Sequence, residues 1–328
     1  VAEWLAVPSA TATLSDWGAN VIKVENVNGG DPLRRLTPAV QLKFPNLNVW
    51  WEQTNRNKKS IAIDLKLKQG RDIVYELVRR SDVFATNFMS PVLKRFGLDA
   101  ETLRKLNPGL IYAHLTGFGT KGPHKNKPGF DHVAFWGASG LMSKLGSPGS
   151  PPPAQRRGLG DNLTSGFIAG AVSAALYSRE KTGKGQCIDI SLYHYGVWGS
   201  SMDIMLALAQ GKEEPRSDRT SAHNPLMNCY KTKDDEWVQI WCIESDRYWA
   251  QFCKALGLDK IRKHQKFHSH QKRIQNNKEL ISIIDTAIVA KTYEELERSF
   301  KESGEIIYGK VQRPLEVVKD SQARENNF

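Results

Sequence analysis

Asp161 occupies the setting in this chain that most suggests chemistry. It stands at a loop-to-helix junction, Gly160-Asp161-Asn162-Leu-Thr-Ser-Gly166, at the point where an N-cap residue belongs. Free N–H groups and the helix dipole favour an ionised carboxylate there by about 0.3–2 kcal/mol, and a carboxylate held ionised can attack an activated carbonyl. Small residues nearby (Gly158, Gly160, Ser165, Gly166, Gly170) would let a bulky ligand approach closely. On this feature alone, a plain helix cap is the simpler account.

Other constellations are weaker. Gly117-Phe-Gly-Thr-Lys-Gly122 fits G-x-G-x-x-G, but a dinucleotide-binding turn needs a helix to open at its third glycine. Pro123 and Pro128 follow instead, so this is a loop. His264, His268 and His270 have near-ligand spacing with no carboxylate beside them, and no metal site is expected. Cys187, Cys229, Cys242 and Cys253 form no C-x-x-C pair and read as reduced, intracellular thiols. The net charge is +11, from 46 basic against 35 acidic residues, with the richest run at Lys260–Arg273. No aromatic interleaving of the RNA-binding kind accompanies that run, so it reads as a solvated face, and no nucleic-acid partner is expected.

The elements that must position these groups follow from periodicity. Short β-rich runs at Asn20–Glu25, Lys59–Asp64, Asp82–Asn87 and Leu110–Thr116 alternate with helical stretches at Trp4–Trp17, Gly70–Arg80, Pro91–Phe96 and Ala100–Leu106. Strand–helix–strand alternation predicts an α/β fold with a parallel, doubly wound sheet. A helix over about 162–180 precedes a strand at Gln186–Leu192, and a long helix then runs to about Gln210. The polar stretch Gly211–Ser221 reads as a linker. Beyond it come a strand at Trp237–Trp241 and helices at Asp246–Leu256, Asn277–Ala290 and Thr292–Ser303. At 328 residues, 40% apolar and 25% charged, the chain has globular composition and length for two domains. Its longest apolar stretch, Gly166–Tyr177, falls short of the roughly 20 residues of a membrane span and reads as a buried helix. The first residues carry no secretory-signal pattern, so a cytoplasmic location without membrane association is expected.

Ordered motifs along the chain then resemble the family III CoA-transferases, which include formyl-CoA transferase, carnitine CoA-transferase and α-methylacyl-CoA racemase. The matching runs are Leu14–Glu25 with Gly29-Gly-Asp-Pro-Leu-Arg34, Asn55–Lys66, Asn87-Phe88, Lys94-Arg-Phe-Gly-Leu98, Leu106-Asn-Pro108 and Gly117-Phe-Gly119. They continue with Gly160-Asp161, Ala174-Ala-Leu176, Arg179–Gln186, Asp189-Ile-Ser-Leu192, and Asn224-Pro225 to Trp237.

The resemblance implies an interlocked homodimer of subunits that each combine a Rossmann-like large domain with a smaller α/β domain. The expected boundaries are 1–200 for the large domain, 201–222 for the linker and 223–328 for the small domain, with the family's C-terminal return to the large domain absent. It implies transfer of CoA from an acyl-CoA thioester to a free carboxylic acid, with no permanently bound cofactor. Asp161 maps onto the family's nucleophile, which works through aspartyl anhydride and aspartyl-CoA thioester intermediates. Arg34, Ile63, Lys66, Asn87, Arg95 and Phe96 map onto positions near CoA, and the three cations among them suit its phosphates. Asp131, Gly137 and Gly140 are the substrate-side residues, the glycines as backbone donors to oxyanions. Other activities within the resemblance are an acyl-CoA racemase or isomerase, or a non-catalytic CoA-binding subunit of a heteromer. The racemases carry a Gly-His-Asp motif where this chain has Gly129-Phe130-Asp131, and a phenyl ring cannot carry a proton. His132 follows directly. The glycine-rich loop of formyl-CoA transferase corresponds here to Ser221–Asn228, which weighs against a formate or oxalate substrate.

Overall fold

The structure, a computed structural model, describes residues 1–36 and 47–327. The chain divides into two compact units, Val1–Leu145 with Pro151–Glu214, and Gly146–Ser150 with Pro215–Phe328.

Five parallel strands organise the first unit. β1 (Ile22–Glu25) pairs with β2 (Lys59–Ala62), while β3 (Val83–Thr86), β4 (Ile111–Thr116) and β5 (Cys187–Ser191) form a second group in the order β3-β4-β5. The continuous doubly wound sheet expected from the alternation is thus two parallel sheets. Between them the Val1 amine donates to Ala85 O at 3.2 Å and Lys23 Nζ donates to Ala2 O at 3.0 Å. A cavity of about 700 Å³ opens in this region, lined by Val1, Val24, Val78 and Phe84 among others, and Asp161 does not line it. β4 is buried from Ile111 to Leu115, as a strand covered on both faces must be.

Helices α1 (Ala6–Asp16), α2 (Val49–Asn55), α3 (Lys68–Arg79), α4 (Ser90–Phe96), α5 (Ala100–Leu106) and α6 (Leu141–Lys144) follow in chain order, then α7 (Leu159–Thr182), α8 (Leu192–Gly199) and α9 (Ser201–Gln210). Val74 and Val78, one turn apart on α3, bury against Phe84 and Tyr112 in one apolar cluster. α7 buries Gly160, Thr164, Ser165, Ile168, Ala169, Val172 and Ala175. These lie on one helical face, and α1 meets it with Ala6, Val7 and Ala10. The opposite face leaves Leu163, Phe167 and Tyr177 exposed, so the expected buried helix is buried on one side only. The expected single helix to Gln210 is broken at Ser200, whose hydroxyl donates to Ser139 O at 2.7 Å and to Gly196 O at 3.1 Å.

The second unit is an antiparallel sheet, β6 (Met227–Lys231), β7 (Trp237–Trp241) and β8 (Tyr308–Lys310). It packs with α10 (Ser245–Leu256), α11 (Asp259–Arg262), α12 (His270–Gln275), α13 (Asn277–Val289) and α14 (Tyr293–Ser303) around Tyr230, Ile240, Phe252, Ile284 and Phe300. The basic run is partly structural. Arg273 is fully buried and donates to Phe267 O and Ser245 Oγ, both at 2.8 Å, and to Asp246, while Lys266 pairs with Glu279. No helix among the described residues is long and apolar enough to cross a membrane.

Candidate functional site

The loops that follow the carboxyl ends of the parallel strands carry most of the residues singled out from the sequence. After β1 comes Arg34, after β2 come Ile63 and Lys66, and after β3 come Asn87, Arg95 and Phe96. Asp131 follows β4, and Asp161 opens α7, the helix that crosses over from β4 to β5. In open parallel sheets this edge is where ligands bind.

Asp161 is the third residue of α7 and not its N-cap. The helix begins at Leu159 because Gly158, with φ 65°, turns the chain into it in the left-handed conformation that glycine adopts without cost. Gly160 is required for space, since a Cβ there would meet the Phe135 ring at 2.6 Å. The Asp161 carboxylate has no hydrogen-bond partner among the described residues. Burial pushes its pKa up to about 7; the negative charge of Asp131 adds to the rise and His132 opposes it. Desolvation therefore outweighs the helix-terminus effect, which favours the ionised form.

Asp131 is 2% exposed and accepts the Gly160 N–H through Oδ2 at 3.2 Å. Its Oδ1 lies 2.5 Å from Nδ1 of His132, the first residue of a π-helical segment, His132–Gly137. His132 Nε2 lies 3.3 Å from Gln155 O. Such π turns are rare and concentrate at functional sites. Phe130 is 60% exposed and meets Trp4 edge-on at 5.6 Å, which gives the site an apolar flank. Trp4 itself holds φ 66°, uncommon for a bulky residue, with its N–H donated to Asp31 Oδ1 at 3.1 Å. Gly137 closes the π-helical segment, and Gly140, at φ 90°, precedes α6.

The remaining residues differ in how free they are. Lys66 and Arg95 are exposed, with the Arg95 guanidinium 5.0 Å from the Phe96 ring. Arg34 is committed: it grips Glu25 through two hydrogen bonds of 2.7 and 2.8 Å and lies 3.7 Å over the Trp51 ring. That pair holds the Glu25 carboxyl down at about 2, against the burial that would raise it. Asn87 spends its amide on Glu3, donating to Glu3 O at 2.7 Å and accepting Glu3 N–H at 3.0 Å. Ile63 is buried in the core and donates its N–H to Glu25 O at 2.9 Å. Sequence reasoning missed the Asp131–Gly160 bond and the Trp4–Phe130 pair, because neither carries a local pattern. Among the described residues no group of three His, Cys, Asp or Glu side chains could hold a metal.

A family model described as CoA-transferase family III matches residues 1–328. Two curated relatives span all of this chain. The (R)-2-hydroxy-4-methylpentanoate CoA-transferase of Clostridioides difficile is 32% identical, with 82% of its own length covered. The cinnamoyl-CoA:phenyllactate CoA-transferase of Clostridium sporogenes is 33% identical, with 80% covered. The crystal structure of a CaiB/BaiF family protein from Brucella suis aligns with a TM-score of 0.87 at 29% identity, covering 99% of this chain and 85% of that one. With its parallel-sheet α/β fold and its carboxylate at the strand edge, the chain belongs to CoA-transferase family III, enzymes that transfer CoA between acyl-CoA thioesters and carboxylates.

Proposed function

We propose that Asp161 is the covalent nucleophile of this transfer and that the acids it serves carry a 2-hydroxyl group. The observation that carries the first part is the Asp161 carboxylate, without a hydrogen-bond partner among the described residues and pushed up by burial to a pKa of about 7, at the strand edge that also presents Lys66 and Arg95. Such a group still ionises near neutral pH, and a carboxylate freed of hydrogen bonds and partly desolvated is a better nucleophile than a solvated one.

The steps balance without an external acid or base. Asp161 attacks the acyl carbonyl of the donor, the C–S bond breaks, and CoA leaves as thiolate, giving an aspartyl–acyl anhydride. The thiolate then attacks the aspartyl carbonyl and releases the donor acid, leaving an aspartyl-CoA thioester. The acceptor carboxylate attacks that thioester to form a second anhydride and thiolate. Attack of the thiolate on the acyl carbonyl gives the product acyl-CoA and restores Asp161. Backbone N–H groups around Gly137–Gly140 are the donors for the oxyanions, and Lys66 and Arg95 serve the phosphates of CoA.

The names of the two relatives support a 2-hydroxy acid, since 2-hydroxy-4-methylpentanoate and phenyllactate both carry a hydroxyl beside the carboxyl group. The apolar face of α9, where Met202 is 83% and Leu208 74% exposed, supports a homodimer that covers it. Hydroxylamine added during turnover tests the mechanism. It should convert Asp161 to a hydroxamate detectable by peptide mass spectrometry, and a carboxyl group unmodified under turnover would refute covalent catalysis.

A further inference from the structure

α4 carries Arg95 on its last turn, and β4 grips that helix at both ends. Tyr112 and His114 stand two residues apart on β4, so both project to one side of the sheet. Both are buried, at 3% and 5% exposure. The Tyr112 hydroxyl donates to Leu98 O at 2.9 Å, just past the end of α4. His114 Nε2 lies 2.9 Å from Phe88 O, just ahead of its start. A carbonyl can only accept, so the ring holds its proton at Nε2 and donates it. Burial pushes the His114 pKa below its usual 6.5, against the Phe88 bond and Asp189, and favours the neutral ring. Its Nδ1 stands 3.9 Å from Asp189, too far for a hydrogen bond.

This grip matters because α4 has little else to hold it. The helix is seven residues long, too short to persist without tertiary support, and Leu93 is its one buried side chain. The Phe88 peptide that leads into it is fixed on both sides. Its N–H donates to the buried Thr86 hydroxyl at 3.2 Å, and Thr86 is the residue of β3 that pairs with His114.

We propose that His114 is a positioning residue for CoA recognition: by holding the Phe88 carbonyl it fixes α4 on the sheet, and with it the place where Arg95 meets the phosphates. The inference rests on the assignment of Arg95 to CoA made above. His114 acts through the helix and not by touching the ligand. Without the grip, ordering α4 becomes a cost met at binding, and the Arg95 contact yields less affinity.

Calorimetry of the full chain with CoA tests this. His114→Leu, which removes the donor, should raise the dissociation constant about three- to tenfold. His114→Gln, whose amide nitrogen reaches the position of Nε2, should bring it back to within about twofold of native. His114→Asn is one methylene too short to reach and should bind as weakly as His114→Leu; it carries the test if leucine prevents folding. The same substitutions made on Arg95→Ala separate positioning from a general loss of structure. With the positioned cation gone, removing the His114 donor should cost less than about twofold, because the two losses share one contact. Native affinity in His114→Leu or His114→Asn, or a loss of equal size with and without Arg95, would overturn the role of His114 and leave the CoA assignment of Arg95 standing. Unchanged affinity in Arg95→Ala alone would fail that assignment, and the positioning role with it.

Discussion

Asp131 accepts the backbone N–H of Gly160 at 3.2 Å, one residue ahead of Asp161, and so brings a buried negative charge against the group we assign as nucleophile. That charge has a kinetic consequence. Because burial and Asp131 together lift Asp161 to about 7, kcat/KM should rise with pH through neutrality as the carboxylate forms. In Asp131→Asn the amide oxygen still accepts the Gly160 N–H while the charge is gone. The acid limb should move down by about 0.5–1 unit, and an unmoved limb would show that Asp131 does not set it.

Asp161→Asn separates chemistry from stability. Turnover should fall at least about a thousandfold, because an amide cannot form the anhydride. Stability should change in the other direction. A carboxyl raised from an ordinary value of 3.8 to about 7 stabilises the fold fully below pH 4 and loses that contribution as the pH climbs to 7. Asparagine stays neutral throughout. The variant should therefore be more stable than the native protein above pH 7, by on the order of 1–3 kcal/mol, and equal to it near pH 4. Denaturation midpoints at the two pH values check this.

Arg95→Ala should weaken CoA binding about tenfold or more with the melting temperature unchanged, since Arg95 is exposed and no carboxylate among the described residues is paired with it. Arg34→Ala should behave differently. It strips a nearly buried Glu25 of its bidentate partner and removes the cation over Trp51, so a loss of about 2–4 kcal/mol of stability should accompany any loss of affinity. Calorimetry with CoA beside thermal melts distinguishes the two.

Gly160→Ala places a methyl group 2.6 Å from the Phe135 ring. The ring must shift or the first turn of α7 must move, at a cost of about 1–3 kcal/mol. Because that turn carries Asp161, activity should fall by more than the lost stability alone would cause, measured well below the melting temperature.

The elements most legible from sequence were those whose pattern is local. α5 has Asp99 capping Thr102 N–H and coincides with the expected Ala100–Leu106. β7 coincides with Trp237–Trp241, where alternation buries Val238 and Ile240 and leaves the tryptophans outward. β6 and β8 were not foreseen. β6 mixes Asn228 and Cys229 into its run, and the three-residue β8 is fixed only by pairing with β7. The start of α7 was displaced by three residues because Asp161 looks like a cap, whereas the turn is made by Gly158. The site was legible as single residues. The commitment of Arg34 to Glu25 and of Asn87 to Glu3 depends on strands and loops distant in sequence.

Charging the exposed face of α9 should break self-association. Met202→Glu with Leu208→Glu is expected to sediment as a monomer while the native chain sediments as a dimer.

α7 is the crossover between β4 and β5, and those strands pair in parallel with Tyr112 opposite Cys187, 75 residues along the chain. Parallel pairings of this reach close large loops and form slowly. A ribosome that has released the chain only as far as Asp161 has made that residue but not the strand that seats its helix. The carboxylate we assign as nucleophile thus acquires its environment only once Cys187–Ser191 has emerged and paired. On that assignment, a nascent chain holds no working thioester-cleaving group until the framework that directs it is complete.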